Sequence, residues 1–83
     1  MHNHKGLGGT VKGRKRTYRI EVDIQQPPPG EVRIHPVYEV TVFDNDTGKL
    51  VRKEPSIEVP GDSREKLRIY VEIVKHSAEN DFM

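Results

Sequence analysis

Cysteine and tryptophan are both absent from this 83-residue chain. Without thiols there is no disulfide framework to staple a small fold, and no thiolate site for a structural metal. Hydrophobic residues are also scarce, at 33%. That share stays below the usual ~45–50% when glycine is counted in and tyrosine out. The core must therefore be thin, in a chain too short for a second one. No apolar run approaches the ~20 residues of a membrane span, and residues 1–16 lack the apolar middle of a secretory signal. These absences predict a soluble, intracellular (cytoplasmic) protein with no membrane partner.

The apolar residues that are present are of one kind. Ten Val and six Ile stand against three Leu, two Met and one Ala. β-Branched side chains lose χ1 freedom in a helix and pack well on a pleated surface, so this inventory favours sheet. The patterning agrees. In TYRIEVDIQ (17–25), Tyr18, Ile20, Val22 and Ile24 alternate with Arg19, Glu21 and Asp23, which is a half-buried strand with one wet face. PVYEVTVFD (36–44) repeats the pattern with Tyr38, Val40 and Val42, and EVRIH (31–35) is a shorter piece with Val32 and Ile34 inward. In KLRIYVEIVKH (66–76), Leu67, Ile69, Val71 and Ile73 complete a four-member alternation. Residues 62–76 also fit a helical template through Leu67, Tyr70, Val71 and Val74, with Asp62 or Ser63 as cap. The β-branched bias tips the reading to strand.

The connectors carry turn chemistry. QQPPPGE (25–31) cannot join a ladder, because three prolines fix φ and lack a donor. DNDTGK (44–49) and PGDS (60–63) read as turns. GKLVRKEPSIEV (48–59) has no cleanly apolar face. Its lysines and Pro55 place it at a sheet edge, with Ile57 and Val59 in a short strand beyond a kink. The fold expected is all-β: a small antiparallel β-sandwich or barrel of four to six short strands over residues 17–76. A disordered basic arm (1–16) precedes it and a polar, fraying tail (77–83) follows.

The net charge of +1 conceals a polarised chain. Residues 1–16 hold Lys5, Lys12, Arg14, Lys15 and Arg16 and no acid, whereas residues 17–83 hold nine basic and thirteen acidic side chains. Within the arm, Gly8 and Gly13 have the spacing of a Walker loop. Arg14 and Lys15 then replace its Lys-Ser/Thr, and no helix start is predicted to follow, so a phosphate loop is rejected. The contiguous His2-Asn3-His4 is neither a nuclease ββα site nor half of a tetrahedral metal site. A calcium loop counted from Asp44 would need Gly and Glu where Lys49 and Pro55 stand. Glu21 and Asp23 on one wet face could form an acid–base pair, but such charges are ordinary on a solvated strand. No catalytic residue, metal or cofactor is expected.

What survives is the arm itself, flexible, basic and glycine-rich, a composition suited to tracking phosphates. The expected function is a non-enzymatic module binding nucleic acid, or another anionic surface, without sequence specificity. Lys12, Arg14, Lys15 and Arg16 would make the phosphate contacts, with Arg19 extending the patch. The alternative is a structural or assembly subunit, as in a virion, whose arm and sheet edge near Val51 dock on an acidic protein surface or on further copies.

Overall fold

The strand alternation read from the sequence builds the first layer of the molecule. The computed structural model describes residues 7–61 and 63–82. Residues 1–6, with His2, His4 and Lys5, lie outside the described residues, as do Asp62 and Met83. Five strands form one antiparallel sheet: β1 (Gly9–Lys12), β2 (Thr17–Ile24), β3 (Val37–Asp44), β4 (Leu50–Lys53) and β5 (Ile57–Glu58). The order is β1-β2-β3-β4, and β5 pairs β3 below β4 on the same edge. Leu50–Glu58 is thus one edge run interrupted around Pro55, which cannot donate to the ladder.

The turns are those their residues demand. The Asp44 carboxylate accepts the N–H groups of Asp46 (2.8 Å) and Thr47 (3.2 Å), closing an Asx-type turn. Gly48 follows at φ +76°, a backbone conformation that suits glycine.

One face of this sheet carries Tyr18, Ile20, Val22, Val40 and Val42, all buried. They are covered by the second layer, α1 (Arg64–Glu79), which contributes Leu67, Val71, Val74 and Ala78. The helix corrects the strand expected over residues 66–76. Two periodicities coexist in this segment, and an open sheet with one apolar face needs a cover. Only the i, i+4, i+7 set of Leu67, Val71 and Val74, extended by Ala78, supplies one as a continuous stripe. The strand phase would have buried Ile69 and Ile73. They are instead 50% and 59% exposed on the far side of α1. Ser63 occupies the N-cap position without a side-chain capping bond.

The architecture is therefore mostly strand, one open sheet backed by one C-terminal helix, and neither a sandwich nor a closed barrel. Three further expectations are revised. Gly9–Lys12 is no free arm but a strand paired in register with Thr17–Ile20. EVRIH forms no strand: Val32 and Ile34 are 91% and 89% exposed. Alternation alone does not make a strand when no neighbour offers a ladder. Of the tail expected to fray, Ser77–Glu79 belong to α1 and Asn80–Phe82 are tied to the sheet, as described next.

Candidate nucleic-acid interface

The basic segment owes its conformation to a long-range latch. Lys12 pairs Thr17 at the end of the β1–β2 hairpin, and the Gly13 N–H donates to the Arg16 carbonyl at 2.8 Å. This loop rests on the C-terminal end of α1. Gly13 is there because nothing larger fits: a Cβ would stand 2.7 Å from the Ala78 carbonyl oxygen and 2.8 Å from the Tyr18 ring. Beyond the helix, Asp81 and Phe82 adopt φ of 50° and 68°, unusual for side-chain-bearing residues and sustained only when the surroundings hold them.

Asp81 shows what does the holding. Its carboxylate accepts the Arg14 N–H (2.6 Å), the Lys15 N–H (3.2 Å) and the Tyr18 hydroxyl (2.8 Å). Arg14 Nη2 reaches the Asn80 side-chain oxygen at 3.3 Å. Phe82 meets the Tyr18 ring edge-on at 5.2 Å and lies under the Arg52 guanidinium at 4.8 Å. Cations also complement the negative end of the helix dipole here. Desolvation pushes the Asp81 carboxyl up. The Tyr18 bond, the two amide bonds and the nearby Lys15 charge outweigh it and hold the pKa below the ordinary 3.8. Burial first, and then Asp81, push the Tyr18 phenol above 10.0.

The predicted contact residues are brought together at one end of the sheet, on different surfaces. Arg14 and Lys15 sit over the helix end. Arg16 is tethered to Asp44 (Nη1–Oδ2 3.3 Å), whose carboxyl is held low chiefly by the Asp46 and Thr47 amides. Lys12 and Arg19 share the uncovered face. There the register aligns Thr10, Arg19, Phe43 and Leu50 across β1 to β4. Arg19 lies over the Phe43 ring at 4.9 Å while its Nε donates to Glu21 at 2.7 Å. Lys12 enters no ion pair among the described residues. Toward the opposite end the face turns acidic, with Asp23 beside Glu39; Glu39 takes Lys53 (3.4 Å) and Gln25 (3.0 Å).

Phe43 carries a local signal in the sequence: it falls out of phase with Tyr38, Val40 and Val42, and so lies on the uncovered face, partly exposed. Nothing local marked Asp81. Among the described residues, no three His, Asp or Glu side chains gather to hold a metal ion, and no helix is long and apolar enough to cross a membrane. No protein-family model, curated protein or solved structure matches the chain.

Proposed function

We propose that this chain is a non-enzymatic binding module for single-stranded nucleic acid, taken without sequence specificity on the open sheet face at its basic end. The observation that carries this reading is the Arg19 guanidinium stacked on Phe43 on the uncovered face, one row from Lys12. A ring with an adjoining cation offers every base a π-surface, and neighbouring lysines neutralise the backbone. Lys15 and Arg16, on the adjoining loop, extend the positive track, with Arg14 beyond them at the helix end. The threonine hydroxyls of Thr10 and Thr17 add donors that do not depend on base identity.

Fluorescence anisotropy of a labelled single-stranded oligonucleotide tests the proposal. With contacts from Lys12, Lys15, Arg16 and Arg19, the log–log salt dependence should have a slope of magnitude about 3, from ~0.7 per contact on a single strand. Absence of binding at low salt would end the reading. Deleting residues 1–16 is no clean control, because it removes an edge strand and two of the Asp81 donors. Charge reversal at Lys12 and Arg19 is the better variant.

A second reading, an assembly subunit docking on protein, is favoured by the exposure of Val32 and Ile34 on the loop before β3. It predicts negligible oligonucleotide affinity near ~0.15 M salt.

A further inference from the structure

The helix does not cover the apolar face of the sheet along its whole length. Ile24 is in phase with Tyr18, Ile20 and Val22, and it pairs Tyr38 in the last row of the β2–β3 ladder. The first buried side chain of α1 is Leu67, and Ile24 stays 37% exposed. A cavity of about 260 Å³ opens there, at the opposite end of the two layers from the Asp81 latch. Ile24 and Tyr38 line it together with the buried Val59 and Leu67. Pro36 and Pro60 form further walls, stiff by their rings and tied by their carbonyls. Pro36 accepts the Val59 N–H and Pro60 the Ser63 N–H, each at 2.9 Å. The cavity is thus formed before anything enters it, as small-molecule sites usually are. Among the described residues that line it, Arg64 alone is charged. No other described residue forms an ion pair with it.

We infer that this cavity binds a small carboxylate with an apolar body, the body against Ile24, Val59 and Leu67 and the carboxylate on the Arg64 guanidinium. Mostly apolar walls with one or two placed polar groups are the usual make-up of such a site: the walls supply the burial and the polar group fixes the orientation. The volume equals that of about nine waters at ~30 Å³ each, which suits a ligand of about as many non-hydrogen atoms. The planar guanidinium fork matches a carboxylate in shape and charge. It repels an amine of the same size, and a neutral ligand forgoes the ion pair. The cavity is remote from Lys12 and Arg19, at the other end of β2, so the inference does not rest on the nucleic-acid reading.

Titrating the isotopically labelled full chain with phenylacetate, and following the backbone amide resonances, tests it. The expected result is a saturable set of shifts at Ile24, Tyr38, Gly61, Arg64 and Leu67, half-complete near ~1 mM. Phenylacetamide keeps the body and loses the charge, and it should bind about five-fold more weakly, the upper end for an exposed ion pair. Phenylacetate should weaken by the same factor on Arg64→Gln, which keeps the fold because Arg64 is exposed. Acetate offers the charge without the body and should give no saturable change. Three results would each overturn the inference. They are phenylacetate shifts that do not saturate by about 10 mM, shifts centred on Val32, Ile34, Ile69 or Ile73 instead, and an affinity unchanged either for phenylacetamide or in Arg64→Gln.

Discussion

Truncating Leu67 to alanine should lower stability by about 2–4 kcal/mol, and Val71→Ala by about 1–3 kcal/mol. Both side chains are essentially sealed from solvent between α1 and the sheet, so each truncation removes buried methyl groups and leaves a cavity. A domain with only a few kcal/mol in hand cannot absorb the larger loss easily, and the melting temperature should fall by roughly 4–8 °C per kcal/mol. The informative control is Ile69→Ala, measured in dilute solution. On the helix Ile69 points outward, so the change should stay within about 0.5 kcal/mol. Urea unfolding of the three variants therefore reports the phase of the segment. If Ile69→Ala proves as damaging as Leu67→Ala, the residues alternate as in a strand, and the helix is wrong.

Breaking the latch at Asp81 should also have a large effect. Asp81→Ala deprives the buried Tyr18 hydroxyl and the Arg14 and Lys15 amides of their acceptor. An unsatisfied buried donor loses its water without replacement. Alanine is also less at ease than asparagine at the positive φ of this position. The melting temperature should fall by several degrees in Asp81→Ala and less in Asp81→Asn, which keeps one oxygen.

The pH dependence follows from the same groups. Asp81 and Asp44 have carboxyls held below 3.8 in the fold. Their contribution is present above the unfolded value and is lost as pH falls through the folded one. Tyr18 is raised above 10.0. Its contribution is complete below the unfolded value and is lost as pH rises toward and through the folded one. The urea midpoint should therefore be flat between about pH 5 and about pH 9 and fall on both sides. Asp81→Asn should blunt the acid limb and Tyr18→Phe the alkaline limb. An acid limb unchanged in Asp81→Asn would show that the carboxylate is not the latch.

Much of the sheet is legible in the sequence. The alternation around Ile20 and Val22 and around Val40 and Val42 sets both central strands, because each has a single buried face. The Asp44–Lys49 turn and the break at Pro55 are equally local, written in residues with few conformational options. What is not legible depends on partners distant in sequence. Residues 66–76 satisfy both periodicities, and the need to cover an open sheet decides between them. Val11 is the one apolar side chain in β1, whose pairing is stabilised by a hairpin resting on the helix end. The Asp81 carboxylate contacts residues more than sixty positions away, and no local signature marks such a role. The basic residues stand out in the sequence as a group, but their division between latch, ion pair and open face is a property of the folded chain. The predicted contact set thus becomes unequal, with Lys12 and Arg19 on the open face and Arg14 committed to the helix end.

Whether the open face binds nucleic acid is tested most directly by titrating isotopically labelled protein with a single-stranded oligonucleotide and following the backbone amide resonances. The proposed site predicts shifts concentrated on Thr10, Lys12, Thr17, Arg19 and Phe43, weaker ones at Lys15 and Arg16, and silence along the outward face of α1. The same titration with Lys12→Glu/Arg19→Glu should show no saturable change while the spectrum remains that of a folded protein. Resonances unmoved at low salt, or shifts confined to α1 around Ile69 and Ile73, would contradict the account.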